Sequence, residues 1–260
     1  MNGHRIDPGV AAEMALAREW FYSFELPDGR KTRMYIPDDM ATIHETRLTM
    51  IFSVLDAMFA NQWPQATALD VACHEGYFAI NLARRGCRDV LGIDIRKENV
   101  EGAELMRSVY GLSNLRLDER DVLSLEPAEY GHFDVVLMLG LLYHLENPIK
   151  AIRVARAHTG RICLIETQIA PNLSGIVEWG SYRNPKQIIG TFALVDESTE
   201  IAHRNREANT SSISLVPSLE ALLAIMRAVG FSRVEVVPPP VKGNEQLVYG
   251  KRVLVAGYVD

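Results

Sequence analysis

Residues 68–80 read ALDVACHEGYFAI. An apolar run reaches an acid, Asp70, turns through Ala72, Cys73 and His74, and meets its single glycine, Gly76, where helical spacing begins. A short apolar run that turns into an amphipathic stretch reads as a parallel strand entering a helix. Such a turn sets backbone N–H groups and the positive end of a helix at the carboxyl edge of a sheet, where α/β proteins bind ligands. Asp94 ends the next apolar run, VLGIDI, 18 residues beyond Gly76. An acid near that spacing accepts hydrogen bonds from the two hydroxyls of a ribose. An alanine and a histidine stand where nucleotide-binding turns carry glycines, so the turn alone is a weak signal. The ordered set is stronger: Asp70 and the turn, Asp94, Asp121 in ERDVLSL, then FDVVLMLGLLYHLENP.

Outward from this stretch, short apolar runs alternate with amphipathic ones. Strands are expected at Ala68–Ala72, Asp89–Asp94, Leu115–Glu119, Phe133–Leu137 and Arg161–Glu166, and helices at Tyr77–Arg85, Lys97–Tyr110 and Ile149–Ala157. This alternation predicts an α/β fold, a doubly wound, mostly parallel sheet. Before it, residues 10–24 and 40–60 place apolar residues at helical spacing, giving an N-terminal helical extension over 1–65. After the core at 66–166, residues 167–214 break the pattern with PNLSG, RNP and EANTSS, while GTFALVDE has the texture of a strand. That span exceeds what a crossover needs and reads as an inserted lid or acceptor segment. Residues 215–260 resume the core, with a helix over Ser218–Val229 and strands at Arg233–Val237 and Gln246–Tyr258. The whole is expected to be one domain.

Composition narrows the function. The 260 residues carry 27 basic and 33 acidic side chains, a net charge of −6, so no global positive field collects a phosphate backbone and a nucleic-acid partner is disfavoured. Hydrophobic content of 48% and charged content of 23% are those of an ordinary globular chain. Cys73, Cys87 and Cys163 lie in or beside apolar runs and read as reduced core thiols. No signal core and no run long enough to span a bilayer is visible, and a cytoplasmic location is expected. The histidines lack metal-ligand spacing, so no metal is expected.

At this point the sequence resembles the class I S-adenosylmethionine-dependent methyltransferases, over roughly Ala66–Glu166 and more loosely over PSLEALLAIMRAVGFSRVEVV. Their first turn commonly reads D-x-G-x-G-x-G, matched here by Asp70, Ala72, His74 and Gly76. HEGYF is similar to the GCNxGYF turn of one subgroup. With LMLGLLYHLENP and LIET, it resembles tRNA wobble-uridine carboxymethyl-transferring enzymes and many small-molecule O- and N-methyltransferases. The resemblance implies a seven-stranded Rossmann-like sheet and S-adenosylmethionine as cofactor, with S-adenosylhomocysteine as product. It implies that Asp94 holds the ribose, Ile95 flanks the adenine, Asp121 receives the adenine amino group and Val122 supplies backbone contacts. Ala72, His74 and Gly76 would line the methionine tail, with Leu139 and Gly140 beneath the sulfonium. Asp70 is expected to orient the turn through backbone N–H groups.

For the chemistry, Tyr143 and His144 follow at the mouth, and His144 is the leading base, since histidine titrates near neutrality. The alternative is that its imidazole caps a backbone carbonyl. Glu166 faces the same edge and could bind an acceptor amine or hydroxyl, or pair with an arginine. Trp20, Phe21, Tyr22, Phe24, Trp179 and Tyr182 could roof a pocket or staple the added segments to the core. His203, Arg204, Asn205 and Arg206 could meet an anionic acceptor or form a solvated loop, and the insertion could be a lid or a homodimer contact. The reading favoured is transfer of a methyl group to a hydroxyl or amine of a small molecule. The alternatives are a tRNA wobble-uridine modifying enzyme, which needs a basic strip that Arg84, Arg85, Arg88 and Lys97 do not establish, and a non-catalytic cofactor-binding scaffold.

Overall fold

The chain enters through helix α1 (Pro8–Leu16), opened by Asp7, whose carboxylate accepts hydrogen bonds from the N–H groups of Gly9 and Val10. The architecture comes from a computed structural model that describes residues 6–177, 186–198 and 211–260. The helix expected over 10–24 stops at Leu16, and the chain becomes extended with a short parallel pair, β1 (Glu19–Trp20) and β2 (Arg33–Met34). The reason lies in the spacing of the aromatic residues. Trp20, Tyr22, Phe24 and Leu26 are all buried, a period of two that only an extended chain can bury on one side. Helix α2 (Asp38–Phe59) forms where helical spacing predicts it and buries Met50, Ile51, Leu55 and Phe59. His44 and Arg47 continue that buried stripe toward the N-terminus of the helix.

The core then alternates as expected. It runs through β3 (Thr67–Val71), α3 (Tyr77–Arg84), β4 (Asp89–Asp94), α4 (Lys97–Val109), β5 (Leu115–Glu119), the short α5 (Pro127–Tyr130), β6 (Phe133–Leu139), α6 (Pro148–His158) and β7 (Thr159–Gln168). Beyond it lie β8 (Gly175–Val177), β9 (Lys186–Ile188), β10 (Phe192–Asp196) and β11 (Ile213–Pro217). The chain ends with α7 (Leu219–Ala228), β12 (Arg233–Val237), α8 (Glu245–Val248) and β13 (Arg252–Tyr258). The strand expected over Gln246–Tyr258 is therefore shorter. Asn244 accepts a hydrogen bond from the Gln246 N–H and starts the turn of helix that precedes it.

Seven strands form one sheet in the order β12-β13-β7-β6-β3-β4-β5. β13 runs antiparallel to both neighbours and the other pairings are parallel. Two apolar clusters cover its faces. One joins α1, α2, α3 and α4, and the other gathers around α6 and α7. Leu69, Val71, Val135, Leu137, Leu164 and Val255 are fully buried between them, each contributing about 1.5–3 kcal/mol. Crossovers leave the neighbouring strands β3 and β6 in opposite directions, so a crevice opens where their carboxyl ends meet. The three cysteines are buried and unpaired by disulfides, and burial pushes the Cys87 and Cys163 thiols up to about 12. No described helix is long and apolar enough to cross a membrane.

Candidate active site

The turn after β3 answers the oddity of its sequence. Ala72 and His74 adopt φ values of 56° and 53°, the left-handed conformation that glycine takes at no steric cost. An L-residue there costs roughly 1–2 kcal/mol, so the surroundings must hold it. They do so through backbone donors. The His74 N–H reaches Asp94 Oδ2 at 2.9 Å, the Cys73 N–H reaches the Ile93 carbonyl at 2.8 Å, and Glu75 Oε2 accepts from the Phe21 N–H at 2.8 Å. Asp70 accepts from the Ala79 N–H in the first turn of α3 at 3.0 Å, orienting the turn from below. Burial, with Asp94 nearby, pushes the Asp70 carboxyl up to about 8 despite that hydrogen bond.

Gly76 is placed differently from the expectation that it lines the cofactor tail. It is buried at φ 78°, and a Cβ there would lie 2.8 Å from Ala103 Cβ of α4. Its small size serves the packing of α3 against α4.

Asp94 Oδ1 accepts from the Arg96 N–H at 2.9 Å and from the Asn99 amide at 3.1 Å, which fixes the carboxylate at the cleft wall. Ile95 follows, half exposed, as an apolar edge beside it. Asp121 and Val122 lie outside the cleft lining. Asp121 caps the turn at Val122–Ser124 by accepting from the Leu123 N–H, and Val122 is buried in the core. The cap engages Oδ1 of the carboxylate expected to receive the adenine amino group.

A cleft of about 470 Å³ runs along the switch point, a size suited to a ligand. Asp94, Ile95, Arg96 and Asn99 line one end, and Ala72, His74, Leu139 and Gly140 form the floor. Phe21, Tyr22, Ile43 and His44 form the roof, β10 and β11 add Val195 and Val216, and Glu197 follows β10 at the same wall. The aromatic expectation thus splits: Phe21 and Tyr22 line the cleft, while Trp20 and Phe24 are core. Phe21 sits 5.1 Å from the His74 ring and Tyr22 stacks on Tyr77 at 4.7 Å. Trp179, Tyr182, His203, Arg204, Asn205 and Arg206 lie outside the described residues.

The far end is a buried polar knot that sequence reading did not assemble. Glu166, fully buried at the end of β7, pairs with Arg47 at 2.9 Å and Arg252 at 3.0 Å. Arg252 also donates to the Tyr143 hydroxyl at 2.7 Å, with its guanidinium 4.6 Å from that ring. Burial works against the Arg252 charge, but Glu166 and Tyr143 outweigh it and hold its pKa above the usual arginine value. Glu166 therefore holds two arginines instead of facing the acceptor, because a buried carboxylate beside guanidinium groups is satisfied by them first. Tyr143 and His144 do border the cleft, with ring centroids 4.2 Å apart. His44, missed from sequence, is 3% exposed on the roof; burial, with Arg47 beside it, pushes its imidazole down to about 3 and keeps it neutral. The signal available for His44 and Arg47 was two polar residues set on the apolar stripe of α2. Among the described residues no group of His, Cys, Asp or Glu could hold a metal ion.

A family model described as "Methyltransferase domain" matches residues 43–236, most of the chain. The chain belongs to this methyltransferase family. With a sheet of this order, it is a class I, S-adenosylmethionine-dependent member. This methyltransferase is 31% identical over 104 residues to a tRNA U34 carboxymethyltransferase of Desulfotalea psychrophila, covering 39% of the chain and 32% of the relative. It is 33% identical over 85 residues to a ubiquinone biosynthesis O-methyltransferase of Neisseria meningitidis, covering 33% of the chain and 36% of the relative. The matched segments thus span about a third of the length of either relative. Among solved structures, the N-terminal domain of EvdMO1 with S-adenosylhomocysteine and D-fucose superposes with a TM-score of 0.66 at 23% identity, each chain fully covered.

The residues of the cleft fit the cofactor. Asp94 presents a positioned carboxylate, and Gly140, at φ 71°, leaves open the space that a Cβ would take from Tyr143, Arg47 and Glu166. Asp94 would hold the ribose hydroxyls, Ile95 the adenine face, and the Ala72–His74 turn the amino-acid tail.

Proposed function

We propose that this methyltransferase moves a methyl group to a hydroxyl or amine of a small, partly apolar metabolite. The observation that carries this is the single cleft in which the Asp94 end, the Ala72–His74 turn and the Tyr143–His144 mouth are continuous beneath an aromatic roof. The cofactor supplies a methyl group already activated on a sulfonium. The chain has to align the acceptor with it and exclude water, a role we give to Phe21, Tyr22 and Ile43, which line the cleft. A hydroxyl acceptor also needs its proton removed. His144 is the base we propose, since it borders the cleft next to Tyr143, whereas the neutral, weakly basic His44 suits a hydrogen bond. The ubiquinone-biosynthesis relative, whose name denotes an O-methyltransferase, supports a small acceptor.

The first test is calorimetric titration with S-adenosylhomocysteine, expected to saturate one site and to weaken on Asp94→Ala. Absence of binding would remove the reading. For any acceptor that turns over, His144→Gln is expected to lower kcat about 10²–10⁴-fold. An unchanged kcat would assign the proton elsewhere.

A tRNA acceptor is the second reading, favoured by the carboxymethyltransferase relative. It requires a basic strip, and three of the four candidates for it are engaged outside the cleft lining: Arg85 pairs with Asp56, Lys97 with Glu101, and Arg84 lies over Tyr110. Binding of unmodified tRNA in a gel-shift at moderate salt would favour it over the small-molecule reading.

A further inference from the structure

Resting on the methyltransferase reading, we propose that Glu75 is a positioning residue that acts through Phe21. It fixes the backbone from which the Phe21 ring closes the amino-acid-tail end of the cofactor site, and so sets that end and the acceptor roof together. The first argument is where the carboxylate points. Glu75 is 4% exposed and lies between His74 of the turn and Gly76, yet its Oε2 reaches the Phe21 N–H at 2.8 Å, across 54 residues of sequence. Burial pushes its carboxyl up, while His74, the Phe21 N–H, Arg18 and the Tyr22 N–H favour the ionised form. Arg18 Nη2 stands 3.6 Å from Oε1, with its guanidinium 4.0 Å from the Trp20 ring. A charge-assisted bond from a buried carboxylate to a backbone N–H is strong and directional, so it fixes the segment that carries the donor.

The second argument is what holds that segment elsewhere. Residues on both sides of Phe21 are fixed without Glu75. Glu19 and Trp20 pair with Arg33 and Met34, the Tyr35 N–H donates to the Trp20 carbonyl at 2.9 Å, and the Thr32 N–H donates to the Phe24 carbonyl at 3.0 Å. Trp20, Tyr22 and Phe24 anchor the run in the core. These contacts carry its folding. The Glu75 bond falls instead at Phe21, a half-buried residue that lines the cleft.

The third argument is what the ring meets. Its centroid lies 5.1 Å from the His74 ring of the turn and 4.8 Å from the His44 ring of α2. Phe21 therefore bridges the turn proposed to hold the tail and the roof proposed to cover the acceptor. Tyr22 repeats the link, stacked on Tyr77 at 4.7 Å and 4.5 Å from His44. An apolar ring at that place keeps water from the polar contacts of the tail and strengthens them.

The test titrates the full chain by calorimetry with S-adenosylhomocysteine and with 5′-methylthioadenosine, which lacks the amino-acid tail. Glu75→Ala is expected to weaken S-adenosylhomocysteine roughly tenfold while 5′-methylthioadenosine stays within about threefold. Glu75→Gln, which keeps an oxygen for the Phe21 N–H, should return S-adenosylhomocysteine to within about threefold of the unaltered protein. In a cycle with Phe21→Leu, the double variant should bind S-adenosylhomocysteine within about twofold of Phe21→Leu alone, because the two residues act as one. Glu75→Asp, one methylene short of Phe21, takes the place of Glu75→Ala if that variant does not fold. Unchanged S-adenosylhomocysteine affinity in Glu75→Ala, equal losses for the two ligands, no rescue by Glu75→Gln, or losses that multiply in the double variant overturns the proposal. Failure of the unaltered protein to bind S-adenosylhomocysteine would instead sink the methyltransferase reading, and the proposal with it.

Discussion

Asp94 Oδ2 accepts the backbone N–H of His74 at 2.9 Å across 20 residues of sequence, so the acid that ends the second core strand holds the turn that follows the first. This bond couples the cofactor wall to the strained backbone of the floor. Asp94→Ala is therefore expected to lose both ligand and stability. Removing a buried acceptor from the N–H groups of His74 and Arg96 costs about 1–3 kcal/mol for each donor stranded, and S-adenosylhomocysteine affinity should fall at least tenfold. Calorimetry and urea unfolding on the same variant check both, and a loss of affinity at full stability would assign Asp94 to the ligand alone.

Within one turn, glycine and non-glycine positions should respond in opposite directions. Gly76→Ala places a Cβ 2.8 Å from Ala103 Cβ at a positive φ and is expected to destabilise by more than about 2 kcal/mol. Ala72→Gly releases left-handed strain of roughly 1–2 kcal/mol against a backbone-entropy cost of about 0.5–1 kcal/mol. Its urea midpoint should stay level or rise.

Asp70 should make stability fall with rising pH. Its folded pKa, raised by burial from 3.8 to about 8, means that folded and unfolded chains are both protonated at low pH. Between those values only the unfolded chain releases the proton. The contribution of this group is thus fully present below about pH 4 and is lost as pH rises toward 8, amounting to a few kcal/mol. Asp70→Asn, which keeps an oxygen for the Ala79 N–H, should flatten stability measured between pH 5 and 8.

Glu166→Gln removes the one carboxylate between Arg47 and Arg252 and leaves two buried cations together. Stranding buried charges typically costs about 3–5 kcal/mol. Thermal unfolding should reveal a loss of that order, larger at low salt. A near-neutral result would mean that solvent reaches the knot.

Sequence alone determined the strand-turn-helix at Asp70–Gly76, the alternation that builds the sheet, and the place of Asp94, Tyr143 and His144 on its carboxyl edge. These depend on periodicity and on contacts close along the chain, which apolar spacing records directly. Residues Trp20–Leu26 show the limit. Their aromatics passed for helical spacing, and only packing against Tyr77 and the His74 turn reveals the period of two. Asp121 shows another, since its Oδ1 also caps the turn two residues on, a local role its spacing did not announce. The polar knot was decided by tertiary structure alone. Arg47 comes from α2, Glu166 from the end of β7 and Arg252 from the start of β13, and each is locally an ordinary polar residue beside an apolar run. Their meeting follows from strand order, with β13 inserted antiparallel beside β7 so that Arg252 and Glu166 share an edge, and from the helix face that lays Arg47 across it. Burial then gives these charges their consequence, because an ion pair that solvent would screen on the surface is, in a low-dielectric cleft, costly to break.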